Sequence, residues 1–214
     1  MTYKTRFQYL FDKAKEIAHP YALLNPAQTA LPPLFFVTDP ARIPHPEDIA
    51  AHLPAGCGLI YRHFGESHAP QRARLLRKIA DDNGLTLLIG ADATLAEDVE
   101  ADGIHLPERL LSEAPALRAR HRNWIVTAAC HTSETLKRRE IEALDAIFVS
   151  PVFISQSPSA RQVEPLGVKG VRALAEIAPL PVFALGGINC DTIGSLRDSG
   201  LSGVAAVDAF NLKD

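Results

Sequence analysis

PVFALGGINCDTIGSLRDSGLSGVAAVDAF, residues 181–210, decides how the rest of the chain is read. Val182-Phe183-Ala184-Leu185 is a short apolar run that stops at Gly186-Gly187. A helix then starts near Asn189 or Asp191 and runs to Asp198, where Ser199-Gly200 ends it. Gly203 to Val207 forms a second buried strand. Strand, glycine turn, helix and strand make a right-handed βαβ unit with parallel strands. A glycine pair between a strand end and a helix start offers backbone N–H groups to an anion such as phosphate. A tight turn requires glycines by itself, so both readings stand at this point.

Working outward, the same alternation recurs. Strands are predicted at 34–38, 57–63, 85–89, 103–106, 124–129 and 146–150, ahead of the two already described. Helical segments are predicted between them at 46–53, 70–82, 93–101, 112–120, 132–144 and 168–178. Thr132 or Ser133 would cap the fifth of these, and Asn83-Gly84 would close the second. Eight strands roughly 20 to 30 residues apart, with helices between, imply a parallel α/β sheet. A closed (β/α)8 TIM barrel is preferred over an open sheet, because no G-x-G-x-x-G follows the first strand.

The domain plan follows. Residues 1–33 hold an N-terminal helix at 5–18, stopped by Pro20, and a proline-rich lead-in; residues 34–214 hold the barrel. Only Asn211-Leu212-Lys213-Asp214 follow Phe210, so the eighth helix is missing or very short. Either the N-terminal helix covers that gap or a partner subunit of a homo-oligomer does.

The 214 residues suit one domain of ordinary size. With 47% hydrophobic and 22% charged residues, the composition is that of a soluble globular chain. A net charge of −3 gives no broad basic surface for nucleic acid. No apolar run approaches the roughly 20 residues of a membrane span, and the charged N-terminus is unlike a signal peptide. Cys57, Cys130 and Cys190 form no paired pattern, which fits a reducing cytoplasm and small buried thiols. His45, His52, His63 and His68 match no zinc spacing, with His63 facing away from the barrel interior. His105 reads as packed, and Arg72, Arg74, Arg77 and Lys78 as the wet face of one helix.

LFFVTD at 34–39, LLIGAD at 87–92, ADGIHL at 101–106, CHTSET at 130–135, VSPVF at 149–153, PLGVKGV at 165–171, PVFALGGIN at 181–189 and GVAAVDAF at 203–210 form an ordered series. In these motifs the chain resembles the thiamine phosphate synthases and their thiazole tautomerase (TenI-like) relatives, as a divergent member. The resemblance implies a barrel whose site lies at the C-terminal strand ends, and a transferase or isomerase of thiamin metabolism. Its ligand would be a small phosphorylated thiazole or thiamin-type molecule. The synthase reaction expels a diphosphate and needs Mg²⁺ with basic side chains on the leaving group.

Carried over position by position, the resemblance gives a mixed site. Of the family's Gln-x-Arg-x-Lys on the second strand only Arg62 is kept, between Ile60 and Phe64. The two Mg²⁺ carboxylates fall at Ala91 and Leu110, so no metal is expected; Asp92 stands one place along. The phosphate-gripping Thr-x-Thr-Lys run reads Ser155, Ser157 and Pro158, which keeps hydroxyls and loses the charge. Gly186-Gly187 is kept, and the phosphate-contacting serine is Asp208. Diphosphate chemistry is thereby disabled, which leaves binding of a thiazole phosphate or thiamin phosphate. The alternatives are a metal-free tautomerase using His131, a non-catalytic binding relative, or a barrel recruited to other chemistry. Arg62 and Asp208 are candidates for an internal ion pair in a lapsed site.

Overall fold

The computed structural model describes residues 2–24, 31–155 and 163–211. Its strands are β1 (Leu34–Val37), β2 (Gly58–Tyr61), β3 (Thr86–Gly90), β4 (Gly103–Leu106), β5 (Ile125–Cys130), β6 (Ala146–Val149), β7 (Val182–Leu185) and β8 (Gly203–Ala206). All pair in parallel with their sequence neighbours, and β8 closes on β1 through Leu34↔Val204 to Phe36↔Ala206. The result is the expected eight-stranded TIM barrel.

Alternation along each short strand divides its side chains between two cores. Phe36, Leu59, Leu87 and Ile104 face outward into the layer shared with the helices. Phe35, Val37, Ile60, Leu88, Phe148 and Phe183 fill the barrel interior. Phe35 meets Phe148 and Phe183 edge-on, at centroid distances of 5.3 and 5.5 Å, and the latter two stack at 4.9 Å. These rings fit because glycines face them. A Cβ at Gly58 would stand 2.1 Å from the Phe35 ring, and one at Gly203 would stand 2.5 Å from Phe183.

The covering layer comprises α1 (Tyr3–Leu24), α2 (Pro46–Ala50), α3 (Ala69–Asn83), α4 (Ala93–Asp98), α5 (Ala114–Arg120) and α6 (Gly167–Ile177). Gly84, left-handed at φ 63°, ends α3 as its sequence suggests. Two predicted helices are corrected. Residues 132–144 form only 3₁₀ turns at Thr135–Lys137 and Arg139–Ala143, and 189–198 only one at Ile193–Leu196. Thr132 does accept the Thr135 N–H as a cap, but Arg138 is extended (ψ 138°) and interrupts the helix that would follow.

The N-terminal helix continues to Leu24, past Pro20, where a stop was expected. A proline removes its own N–H bond from the ladder but leaves the neighbouring rungs in place. Phe7, Leu10, Ala14 and Ile17 are its buried face. Phe7 meets Phe210 at 5.1 Å, and Phe210 meets Phe36 of β1 at 5.2 Å. This helix therefore covers the β8–β1 seam, where an eighth helix would otherwise lie. Most of the lead-in at 24–33 lies outside the described residues.

On the arginine-rich helix Arg74 and Lys78 are exposed, as a wet face requires, but Arg72 and Arg77 are half-buried. Arg77 is 16% exposed and its guanidinium bonds Asp102 at 2.9 Å. Asp102 in turn accepts the Leu87 N–H at 2.7 Å, tying α3 to the start of β3. Arg72 pairs with Glu66 and Glu47. Among the described residues no helix is long and apolar enough to cross a membrane.

Truncating the ring that seals the seam should be costly. Phe7→Ala is expected to lower unfolding stability by about 3 kcal/mol, as for buried phenylalanines generally. Urea denaturation followed by circular dichroism checks this, and a loss below about 1 kcal/mol would contradict the sealing role.

Candidate active site at the barrel mouth

The C-terminal strand ends open into a cavity of about 1500 Å³. Arg62, His105, His131, Ser155, Gly186, Gly187 and Asp208 all line it, so six of the seven sequence-nominated site residues come together with His105. The seventh, Ser157, lies outside the described residues. Arg6, Arg42, His63 and Arg109 also line the cavity and were not nominated.

A chain of charges runs across the mouth. Arg42 donates to Asp39 at 2.9 Å and to Asp208 at 2.8 Å. Arg62 donates through Nε to the Thr38 carbonyl at 2.8 Å and lies 3.8 Å from Asp39. The suggested Arg62–Asp208 pair is thus corrected: Arg42 takes Asp208, and Asp39 faces Arg62. The barrel closure explains this, since the loop after β1 sits beside the end of β8. Burial pushes the Arg62 guanidinium down to about 10, with Asp39 opposing the shift and Arg42 adding to it. It remains charged at neutral pH.

Three histidines stand at the mouth. His131 Nδ1 lies 3.0 Å from the Ser150 carbonyl, which can only accept, so Nδ1 donates there, and Nε2 lies 3.9 Å from Glu108 Oε2. Its backbone N–H bonds Glu108 at 3.0 Å, and the Glu108 carboxylate is also held by the Thr135 hydroxyl. His105 is buried beneath the mouth, edge-on to Phe148 at 5.0 Å. Its Nδ1 bonds Thr127 Oγ1 at 2.9 Å, and that hydroxyl donates onward to the Ile104 carbonyl at 3.4 Å. Burial, reinforced by Arg62, pushes the His105 imidazole down to about 3, so it is a neutral ring.

His63 corrects the expectation that it faces away. It lies beyond the last residue of β2, where strand alternation no longer governs direction, and it turns toward Asp92. Its Nδ1 accepts the Gly65 N–H at 3.1 Å, and Nε2 faces Asp92 Oδ2 at 3.3 Å. The other Asp92 oxygen caps α4 by accepting the Leu95 N–H at 2.9 Å. Both carboxylate oxygens are therefore engaged within the protein.

After β7 the chain turns on Gly186 (φ 97°) and Gly187 (φ 67°). A Cβ at Gly187 would lie 2.5 Å from the Ile154 carbonyl oxygen, so glycine is required there for space as well as for φ. No α-helix follows, so no helix dipole acts here. Among the described residues, nothing accepts the N–H groups of Gly186, Gly187 and Ile188. Successive amides of this kind form a concave nest suited to an anion. Arg6, from α1, reaches the same side of the mouth and bonds the Asn211 carbonyl.

Residues 34–210 match the family model described as thiamine monophosphate synthase. The chain belongs to the thiamine monophosphate synthase family. A putative thiamine-phosphate synthase 2 of Aquifex aeolicus is 33% identical over 138 residues, 64% of this chain and 73% of that protein. The bifunctional ThiM/ThiE protein of Symbiobacterium thermophilum is 32% identical over 170 residues, which is 77% of this chain but 35% of that longer protein. A solved thiamine phosphate pyrophosphorylase from Pyrococcus furiosus superposes with a TM-score of 0.65 at 22% identity. That match covers 81% of this chain and 84% of the other, and it is a likeness of fold.

The neutral state of His105 has a measurable signature. Its folded pKa, about 3, lies below the ordinary 6.5, so its stabilising effect is present above about 6.5 and is lost as pH falls toward 3. Each pH unit in that window removes about 1.4 kcal/mol through this group. The stability of the wild type relative to His105→Gln should therefore shrink as pH falls from 6.5 to 4. A constant difference in urea titrations would show that the folded ring takes up its proton at the same pH as in the unfolded chain.

Proposed function

We propose that this family member binds a thiazole phosphate or thiamin phosphate at the barrel mouth without Mg²⁺. The observation that carries the reading is the backbone nest at Gly186-Gly187-Ile188 in the same cavity as Asp208, whose charge is compensated by Arg42 at 2.8 Å. An uncompensated carboxylate would repel a phosphate there; the Arg42 bridge removes that objection. Arg6 adds a second cation on this side.

The side chains present do not fit a Mg²⁺ site. Ala91 and Leu110 offer no oxygens, Asp92 is spent on a helix cap and His63, and Asp208 is spent on Arg42. Expulsion of a diphosphate has no metal support in this reading, and synthase activity is not assigned.

A second reading rests on one contact. Nδ1–H of His131 is held by the Ser150 carbonyl, its Nε2 lies 3.9 Å from Glu108 Oε2, and the ring lines the cavity. Such a group can take a proton from one ring position of a bound thiazole and return it to another, which is metal-free tautomerisation.

Calorimetric titration with thiazole phosphate and thiamin phosphate, with EDTA and then with Mg²⁺, tests the first reading. Binding should persist in EDTA, and absence of binding in both conditions would overturn it. Arg42→Gln should weaken binding about tenfold, or about 1.4 kcal/mol, and adding Asp208→Asn should restore most of it. For the second reading, His131→Ala should reduce tautomerisation of a thiazole carboxylate phosphate by about 100-fold or more. Unchanged turnover would remove His131 from the chemistry.

A further inference from the structure

Three consecutive strand ends bring a carboxylate behind His131. Glu108 follows β4, His131 follows Cys130 at the end of β5, and Ser150 follows Val149 at the end of β6. The His131 side chain is 49% exposed, so it would sample many rotamers unless it were held. On one side Nδ1 donates to the Ser150 carbonyl at 3.0 Å. On the other, Glu108 Oε2 accepts the His131 backbone N–H at 3.0 Å and lies 3.9 Å from Nε2. Glu108 Oε1 accepts the Thr135 hydroxyl, which stands 3.0 Å from Thr132 Oγ1. The carboxylate is thus fixed by the turn that follows His131. Pro107 and Arg109 line the cavity and Glu108 does not, so it can act on a ligand only through His131.

A bond to one backbone N–H does not require a charge, since an amide oxygen accepts as well. The Glu108 side chain is only 25% exposed, and a charge so placed is costly unless something compensates it. Arg138, a cation that feels this carboxylate, is exposed and already pairs with Glu140 at 2.8 Å. We propose that Glu108 is the positioning residue of His131, fixing the ring on the Ser150 carbonyl and supplying the counter-charge for its proton-carrying state. The inference rests on the tautomerisation reading. When Nε2 takes a proton from one position of a bound thiazole, the electron pair stays on the ligand and an imidazolium forms beside the carboxylate. Return of the proton to another position restores the neutral ring. A gap of 3.9 Å is too long for a hydrogen bond, so Glu108 attracts the charged ring without taking its proton.

Two readouts test this, one of them without turnover. In NMR of nitrogen-labelled histidine, a slowly exchanging Nδ1–H proton, assigned by its loss in His131→Gln, marks the ring held on Ser150. It should appear in the wild type and in Glu108→Gln, which keeps an acceptor oxygen, and vanish in Glu108→Ala. For tautomerisation of a thiazole carboxylate phosphate, Glu108→Gln should lower kcat about tenfold with KM within about twofold of wild type, because the amide keeps the bond and loses the charge. A merely structural carboxylate predicts wild-type turnover in Glu108→Gln. That result would overturn the proposal, as would an Nδ1–H signal absent from the wild type or surviving in Glu108→Ala. If the wild type shows the signal and no turnover, the tautomerisation reading falls, and the signal in Glu108→Ala alone decides the positioning role.

Discussion

The aromatic plug of Phe35, Phe148 and Phe183 is the contact on which the rest of the molecule depends. Strands of four to six residues can close into a barrel only if the interior is filled. Three large rings, accommodated by glycines on facing strands, do that with few residues. The plug also sets the depth of the site. His105 packs on Phe148 one step further up, and Arg62 lies two residues beyond Ile60. The polar floor of the mouth therefore rests on a hydrocarbon base, which explains why His105 is neutral and why the Arg62 guanidinium is shifted downward.

Above that floor, charge is arranged across the seam where the barrel closes. Arg42 stands between Asp39 and Asp208, so the loop after β1 is tied to the end of β8. Asp92 performs a similar tie between the β3 end and His63. Carboxylates so engaged serve as structure, and four arginines line the cavity with them. The charge of Asp208 at the mouth is thus countered by Arg42, which lies far from it in sequence.

Legibility followed the range of the interactions involved. All eight strands were readable because each is a local apolar run bounded by Gly, Pro or polar residues, and β4 and β7 match to the residue. The helices after β5 and β7 were misread because capping residues such as Thr132 also begin isolated turns. Residues carried on motifs, such as His131 and Gly186-Gly187, do line the mouth cavity. Arg6 and Arg42 were not legible, because their places depend on closure of β8 on β1. His63 was missed since strand parity was extended past the end of β2.

The helix over the closing seam reorders assembly in time. Residues 3–24 are made before any of the eight strands, yet their apolar face is completed by Phe210, which follows β8. Until then Phe7, Leu10 and Ile17 have no permanent cover. Docking of that helix consequently awaits all eight strands, and it carries the loop-closure cost of long-range contacts. Seven strands precede β8 in the chain, so the seam between β8 and β1 can close only after all of them are made.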